Sequence, residues 1–499
     1  MGKKLRAVSL TLLLCLAIFG VLDFSFDIIE IVSGDILYVN STGAGGAYTS
    51  IQDAIDNASD GDTVFVYSGI YYENVVVNKT ISLVGEDRNT TEINGWNNGD
   101  VVLITRDYVN ITGFNITRSG SNSEDAGIDL FSVQNCRVFS NNARWGGHSG
   151  IRLYLSTNNT IADNNISHKG FAIYLKYSNE NTIEGNMAIM SNSNGILLYS
   201  SNRNNISDNN ISNVAHYGIT ISSSSGNNIT NNIAFSNSEC GIYFLNSSGN
   251  NILGNNISSN HYGIKLWTSK DNNITNNNIF SNNNCGIRFD YSDFNNIIGN
   301  DVLNNRNGID ICRSDSNNIL GNNADSNSDM GIFLRISSGN NISNNIASNG
   351  DHGICLYESK KNNIIHNNAS HNNLDGIQFS RSINNSFKNN TMVNNGIFIT
   401  GIKLEHWNTH NIDTSNIVNG KPVYYLRNQN GGTIPEGAGQ VILANCTAIN
   451  VENQELGNGS VGVELGYCSN NTITNNNASS NSWYGYYLWK SIGNTLKGN

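Results

Sequence analysis

Proline and charged residues are scarce in this chain of 499 residues. The prolines are Pro422 and Pro435, and charged residues make up 13% of the sequence, about half the usual share. The net charge of -11 argues against nucleic acid as a partner, because binding a phosphate backbone requires basic patches. The hydrophobic content of 38% is too high and too regularly spaced for a disordered chain. Asparagine and glycine replace the missing charge, which favours one long repeat over several ordinary domains.

The first residues have the pattern of an export signal. Lys3, Lys4 and Arg6 precede an apolar stretch from Ala7 to Leu22, and this order is typical of a signal peptide. We assign residues 1–33 to a signal peptide or an uncleaved N-terminal anchor. We therefore expect the protein to be extracellular or held at the cell surface, with the anchor as its one possible membrane contact.

A Gly-Ile dipeptide recurs through the middle of the chain at a fixed spacing. Successive glycines are 22 or 23 residues apart, except for a last interval of 25, and Ala172 replaces one glycine. A fixed period of this length is typical of a solenoid. The glycines are Gly127, Gly150, Gly195, Gly218, Gly241, Gly263, Gly286, Gly308, Gly331, Gly353, Gly376 and Gly401.

Each unit reads Gly-Ile-x-Leu/Phe-x-x-Ser, as in the unit that begins at Gly263. Its apolar residues are two apart, which is the period of a strand with one face in a core and one in solvent. A leucine-rich repeat has a similar period, but its Leu-x-x-Leu-x-Leu pattern is missing, as is the calcium-binding nonapeptide. Three short strands and three turns fit the period, so we predict an all-β, single-stranded parallel β-helix.

A second pattern, Asn-Asn-Ile-x-x-Asn-Asn, follows in each unit, for example from Asn227 and from Asn250. Asparagine tolerates the left-handed conformation and suits sharp turns. When rungs stack, identical asparagines can align into hydrogen-bonded ladders. The same pattern creates Asn-x-Ser/Thr sequons as a by-product, as at Asn228 and Asn273, and we expect glycan on a minority of them at most.

The two ends depart from the repeat. Helical spacing in Ser50 to Asn57 predicts a short helix that caps the N-terminal end of a β-helix spanning residues 36–404. Residues 405–445 break the period and hold both prolines, so we predict an irregular insertion or loop there. Rungs resume over residues 446–499, and the chain stops within a turn pattern, so we expect an incomplete final rung.

These motifs resemble a known group of proteins. The opening, Thr49-Ser50-Ile51-Gln52-Asp53-Ala54-Ile55 and then Gly61-Asp62-Thr63-Val64, resembles that of pectin-lyase-like β-helices. The Gly-Ile and Asn-Asn-Ile rungs resemble the NosD-like family of carbohydrate-binding and sugar-hydrolysis (CASH) repeats. The resemblance covers about residues 36–499 and implies a right-handed β-helix. It is specific for the fold and carries no activity by itself, because functions differ widely on one scaffold.

The family name implies copper, but copper sites use clustered Cys, Met and His, and no tight motif of these residues occurs. We therefore predict no metal and no cofactor. Cys240 and Cys285 lie two rungs apart, too far for a disulfide, so we expect them to be buried thiols. Cys446 and Cys468 lie about one rung apart, which leaves a disulfide between them open.

Enzymes on this fold place their carboxylates and bases on the outer face of one sheet, and two patches of the corresponding face here stand out. One comprises Lys265, Trp267, Arg288, Asp290 and Asp310, and the other comprises Asp125, Asp129, His148, Arg152 and Lys176. Carboxylates could act as acid and base with an arginine as proton acceptor, which makes Asp290, Asp310 and Arg288 the catalytic candidates. Aromatic rings and cations could bind glycan, which makes Lys265, Trp267, Asp129, Arg152 and His148 the ligand-binding candidates.

The simpler interpretation of both patches is that opposite charges pair across neighbouring rungs. The calcium-binding Asp cluster of the lyases, the Asp-Pro-His-Glu signature of the epimerases and the polygalacturonase residues are all missing. The leading hypothesis is therefore an exported protein that binds glycan or a cell-envelope component without catalysis. The alternatives are a polysaccharide lyase, epimerase or hydrolase acting on the outer face, and a passive envelope spacer.

Overall fold

A computed structural model describes residues 34–499, so the export signal assigned to residues 1–33 lies outside the described part. The chain forms a right-handed parallel β-helix, as predicted, and its long first stack has three sheets. Sheet 1 contains the Gly-Ile strands: Val75–Val77, Val102–Ile104, Ala126–Phe131, Ser149–Tyr154, Phe171–Lys176, Ile196–Tyr199, Tyr217–Ser222, Cys240–Leu245, Tyr262–Trp267, Cys285–Asp290, Asn307–Cys312, Met330–Arg335, His352–Tyr357, Asp375–Ser380 and Ile397–Thr400.

Sheets 2 and 3 complete each rung with shorter strands. Sheet 2 contains Ile36–Val39, Thr63–Val66, Ser82–Gly85, Asn110–Thr112, Arg137–Phe139, Thr160–Ala162, Thr182–Glu184, Asn205–Ser207, Asn228–Thr230, Asn251–Leu253, Asn273–Thr275, Asn296–Ile298, Asn318–Leu320, Asn341–Ser343, Asn363–Ile365, Ser386–Lys388 and Asn411–Ile412. Sheet 3 contains Gly69–Tyr71, Thr91–Asn94, Asn115–Thr117, Asn142–Arg144, Asn165–Ser167, Met187–Ile189, Asn210–Ser212, Ile233–Phe235, Asn256–Ser258, Asn278–Phe280 and Asp301–Leu303.

The repeated isoleucines form the core, and the repeated glycines let the rungs approach each other. Ile242, Ile264 and Ile287 align in register on successive rungs and are fully buried, as the alternation predicted. A Cβ on Gly263 would lie 2.5 Å from the carbonyl oxygen of Gly286 on the next rung. Any larger residue would therefore push the rungs apart at this position.

The predicted asparagine ladders are present at two turns of the rung. The side chain of Asn255 donates to the side chain of Asn277 at 2.9 Å and to the carbonyl of Ile229 at 2.9 Å. Its Oδ1 accepts from the backbone N–H of Asn232. The left-handed residue is the one before each such asparagine, for example Asn231 at φ 54°. A parallel ladder of serines, such as Ser337 and Ser359, binds the remaining turn.

The N-terminal end is capped by helix α1, Ile51–Asn57. Ile51, Ala54 and Ile55 are buried, as their helical spacing predicted. The helix is preceded by a 3₁₀ turn, Ala44–Gly46, and its Ser50 cap accepts a hydrogen bond from Asp53 N–H at 3.2 Å. The capping helix covers the first rungs, where an open stack would expose its core.

The segment 405–445, predicted to be an irregular insertion, contains helix α2, Glu405–Asn408. After this helix the segment contributes strands to a second stack of rungs. The strand Lys421–Arg427 runs antiparallel to Ile417–Val418. The second stack contains the six strands of sheet 4 and the four of sheet 5. They are Thr391–Met392, Ile417–Val418, Lys421–Arg427, Gln440–Ala444, Val461–Gly466 and Tyr484–Trp489, and then Asn430–Thr433, Thr447–Glu452, Thr472–Thr474 and Thr495–Lys497.

Sheet 4 docks on the last strand of sheet 1, Ile397–Thr400, which pairs with a strand on one side only. The backbone N–H of Ile397 donates to the side chain of Gln440 at 2.8 Å, and that of Ile399 donates to Glu464 at 3.1 Å. Ser460 accepts from the N–H of Gly396 at 2.8 Å. Side chains of the second stack thus satisfy a strand edge that would otherwise be exposed. Within residues 34–499 no helix is long and apolar enough to cross a membrane.

Candidate functional site

The outer face of sheet 1 carries three columns of side chains, of which the sequence predicted two. The predicted columns hold residues such as Arg288 and Asp290. The third column is formed by the residue before each repeat glycine, as the contact between the rings of Tyr217 and Tyr243 at 4.7 Å shows. Cys285 belongs to it, and its Sγ lies 3.9 Å from Asp310 Oδ2. This column is therefore a neighbour of the charged residues, which strict alternation along the strand did not reveal.

The three catalytic candidates do lie together. The Arg288 guanidinium binds both oxygens of Asp290, at 3.1 and 2.7 Å, and Asp310 Oδ2 at 2.5 Å. Arg335 binds Asp310 from the other side, at 3.3 and 3.1 Å. Burial raises the pKa of the Asp310 carboxyl above its usual range, and the two arginines only partly offset this. Two arginines and two carboxylates thus form one network in which each carboxylate is hydrogen-bonded by an arginine.

Lys265 and Trp267 lie beside this network without joining it. The Lys265 ammonium lies over the ring of Tyr262 at 4.9 Å and that of Trp267 at 5.5 Å. Trp267 is 39% exposed, and Tyr291 follows it at a ring distance of 5.9 Å. Arg313 lies over Tyr291 at 5.4 Å. We call these five residues the Trp267 strip, a row of half-buried and exposed rings and cations across three rungs.

In the second predicted patch the charges are buried. Arg152 binds both oxygens of Asp129, at 3.0 and 2.8 Å, and both side chains are almost inaccessible to solvent. Asp100, which the sequence did not single out, lies next to them. Burial raises the pKa of Asp100 to about 7, and the Asp129 charge adds to the effect. Burial also lowers the pKa of His148, whose ring contacts Phe171 edge-on at 5.0 Å.

Two other predicted members of that patch lie at its edge. Asp125 accepts a hydrogen bond from the backbone N–H of Asn122 at 2.8 Å and orders its own loop. The Lys176 ammonium lies over the rings of Tyr154 and Tyr177, at 5.7 Å from each. The patch is therefore a buried ion pair surrounded by rings, with Asp100 beside it.

A cleft that the sequence did not indicate lies on the outer face of sheet 3, in the first rungs. Trp145 and Arg118 line two adjoining hollows, one of about 560 Å³ and one of about 460 Å³. Glu92 and Arg144 line the first hollow, and His168 lines the second. We call this the Trp145 cleft. Its residues come from four successive rungs and from the turns that follow them, so no sequence pattern connects them.

The protein family emerges from comparison with known sequences. The family model described as "Periplasmic copper-binding protein (NosD)" matches residues 55–240, 109–285, 237–428 and 423–499. The chain belongs to this family. The matched segments together extend from the capping helix to the last rung, so the resemblance predicted from the rungs is confirmed. No curated protein sequence matches this chain.

Solved structures similar to this NosD-family chain are β-helix proteins of low sequence identity. The pre-mature bacteriophage phi29 gene product 12 is 13% identical, with 90% of this chain and 71% of that chain covered and a TM-score of 0.48. The Dettilon tailspike protein is 14% identical, covering 76% and 70%, with a TM-score of 0.41. The A-module of the Azotobacter vinelandii mannuronan C-5 epimerase AlgE4 is 12% identical, covering 89% and 94%, with a TM-score of 0.27.

The copper in the family description does not fit the side chains of this chain's described part. Within residues 34–499 no group of three or more His, Cys, Asp or Glu side chains lies close enough to hold a metal ion. The cysteines of this part are free and mostly buried, as expected for Cys240 and Cys285. Cys446 and Cys468 are also free, and the N–H of Cys446 donates to Cys468 Sγ at 3.3 Å. These thiols replace ladder residues and form no metal site.

Proposed function

We propose that this chain is an exported protein of the cell envelope that binds polysaccharide along the Trp267 strip without cleaving it. Membership of a family described as periplasmic supports export. The observation that supports binding without cleavage is the pairing of the predicted catalytic carboxylates: Asp290 and Asp310 are bound by Arg288 and Arg335. An acid and a base held in a charge-balanced network do not transfer protons readily, so this face favours binding over catalysis.

The Trp267 strip has the features of a sugar-binding surface. Its rings offer flat apolar faces, and the cations of Lys265 and Arg313 lie over those rings. The rungs beneath are fixed by the ladders, for example by the Ser269 to Ser292 hydrogen bond at 3.1 Å. A rigid row of rings at the rung spacing, about 5 Å, loses little entropy when an extended chain binds along it.

Binding can be tested with purified protein on a glycan array and by calorimetry with the glycans that bind. Trp267→Ala should weaken binding at least tenfold, and Lys265→Ala should weaken it less. Tyr108→Ala, which removes an exposed ring outside the strip, should leave binding unchanged. If neither glycans nor envelope fractions bind the parent protein, or if Trp267→Ala binds as tightly as the parent, the proposal is wrong.

A second candidate function, cleavage or epimerisation of a uronic-acid polymer, is favoured by one observation. Asp100 has a pKa of about 7 beside the buried pair of Asp129 and Arg152, and a carboxyl of this kind can act as a general acid or base near neutral pH. Uronic-acid polymers incubated with the parent should then be shortened or epimerised. Asp100→Asn should abolish this activity, whereas Asp290→Asn should abolish it only if the catalysis occurs at the network of Arg288, Asp290 and Asp310.

A further inference from the structure

The Trp145 cleft lies on a different sheet from the Trp267 strip and about five rungs away, which is roughly 25 Å along the axis. The Trp145 ring stacks on His168 with ring centroids 4.0 Å apart and an angle of 19° between the planes. One face of the indole is therefore fixed by His168, while the side chain as a whole is 60% exposed. The exposed face of a fixed indole is a platform for the apolar face of a sugar ring.

Positive charge exceeds negative charge around this platform. Arg118 and Arg144 line the cleft, and among residues 34–499 neither forms an ion pair. The carboxylate of Glu92 is bound by neutral donors instead, namely the Thr117 hydroxyl at 2.8 Å and the amides of Asn94 and Asn115 at 3.1 and 3.2 Å. Glu92 thus positions polar side chains along the cleft and leaves the two guanidinium groups available.

A third cation lies directly beneath the cleft. Lys169 is completely buried, and its ammonium donates one hydrogen bond, to the Ser119 hydroxyl at 3.1 Å. In the described part of the chain no carboxylate pairs with it, and burial lowers the pKa of Lys169 to about 8. A Cβ on Gly146 would lie 2.1 Å from Lys169 Nζ, so the glycine allows the ammonium to reach the cleft floor.

Burying an ammonium without a counter-charge is costly, and the Ser119 hydroxyl is the one hydrogen-bond acceptor that the described part of the chain offers Lys169. Ser119 and Gly146, which contact Lys169 Nζ, line the second hollow together with Arg118. An anionic group in that hollow would lie close to Lys169 and Arg118 at once. Such a ligand would supply the counter-charge that the protein itself lacks.

We propose that the Trp145 cleft binds an acidic sugar, with its ring on the exposed face of Trp145 and its carboxylate over the floor formed by Ser119 and Gly146. Arg118 binds the carboxylate, Lys169 supplies the counter-charge from beneath the floor, and Glu92 with its amide partners contacts the hydroxyl groups. The ligand class is a uronic-acid residue of a polysaccharide. This inference rests on the proposed polysaccharide-binding function and extends it to a second site with its own charge preference.

The test uses a hexamer of 1,4-linked uronic acid and the same hexamer with its carboxylates reduced to alcohols, titrated by calorimetry. Trp145→Ala should weaken binding of both hexamers at this site at least tenfold. Lys169→Met and Arg118→Ala should each weaken binding of the acidic hexamer about tenfold and leave binding of the neutral one unchanged. Trp96→Ala is the matched control, because Trp96 is 62% exposed but lines neither hollow.

Arg118→Ala changes an exposed side chain and keeps the test valid if Lys169→Met does not fold. Equal affinity of parent, Trp145→Ala and Arg118→Ala for the acidic hexamer would overturn the inference. If Trp267→Ala abolishes that binding while Trp145→Ala does not, the inference fails and the proposed function survives. If Trp145→Ala abolishes it while Trp267→Ala has no effect, the Trp267 strip is not the binding surface and the cleft is.

Discussion

The first stack and the junction, where sheet 4 docks on Ile397–Thr400, satisfy their backbone groups in different ways. In the first stack the same residue pairs the turns on many successive rungs: each ladder asparagine, such as Asn255, binds the turn above it and the turn below it. At the junction each group has its own partner, because Gln440, Ser460 and Glu464 bind the edge of one strand. Because the asparagine ladder repeats, it is visible in the sequence, and neighbouring rungs share the effect of losing one ladder asparagine. The junction depends on single residues.

The largest effect is expected from breaking a ladder. Asn255→Leu removes the donor to the carbonyls of Ile229 and Leu253 and the acceptor for the N–H of Asn232. Each unpaired buried group costs about 1–3 kcal/mol, so the variant should lose about 4 kcal/mol of unfolding free energy in urea titration. Asn251→Ala on the same rung is the control, because Asn251 is exposed and its loss should cost under about 1 kcal/mol. Similar losses in both variants would contradict this account.

One asparagine ladder of the first stack ends in a histidine, His410. This residue makes the stability of the fold depend on pH, which an asparagine would not do. His410 occupies the ladder position after Asn385: its Nδ1 accepts from the N–H of Asn385, and its Nε2 donates to the carbonyl of His406. Burial lowers the pKa of His410 to about 4. The pKa is lower in the folded than in the unfolded chain, so this stability is present above about pH 6.5 and is lost as the pH falls towards 4.

The loss should reach about 3 kcal/mol at pH 4, at about 1.4 kcal/mol for each pH unit of difference. Hydrogen exchange of the rungs around Phe379 and Phe387, which contact the His410 ring, should therefore accelerate between pH 6.5 and 4. His410→Asn restores the ladder residue and should abolish this acceleration. If exchange in this variant keeps the same pH profile, His410 is not the titrating group.

The junction should respond to pH in the opposite direction. Glu464 is fully buried, and burial raises its pKa well above the usual range. The folded state therefore holds a proton that the unfolded chain releases above about pH 4.5, so the stability contribution is lost as the pH rises. Glu464→Gln should flatten this fall in thermal unfolding curves. Glu464→Ala should cost about 2 kcal/mol, because the N–H of Ile399 loses its partner. A junction equally stable at pH 5 and pH 8 would show that Glu464 is not protonated.

The difference between the repeated rungs and the junction explains how much of the structure the sequence could predict. The period, the inward isoleucines, the ladders and the capping residues of α1 were all predictable, because each is a local rule repeated or placed at an expected end. The network of Arg288, Asp290 and Asp310 was predictable as a group of neighbours on successive rungs. Its closed pairing was not, because it depends on Arg335 and on side-chain directions.

The Trp145 cleft and the junction could not be predicted for a different physical reason. Lys169 and Ser119 are 50 residues apart, and turns of variable length bring them together. Glu464 reads as one more outward residue of a rung, and only the docking of sheet 4 on Ile397–Thr400 buries it. The function of both regions depends on departures from the repeat, where no period relates one residue to the next.

The smallest expected effect tests whether the cysteines of the second stack act as ladder residues, as the serines of the first stack do. Cys446 and Cys468 occupy the ladder position that serine holds in the first stack, and Cys468 N–H donates to the Ser491 hydroxyl at 2.9 Å. Sulfur is a weak acceptor, so Cys468→Ser should give the N–H of Cys446 a better partner and raise the unfolding free energy by up to about 1 kcal/mol. Cys240→Ser, which buries a hydroxyl outside any ladder, should instead lower it. If both substitutions destabilise equally in urea titration, the second stack packs its cysteines as apolar residues and does not share the ladder rule.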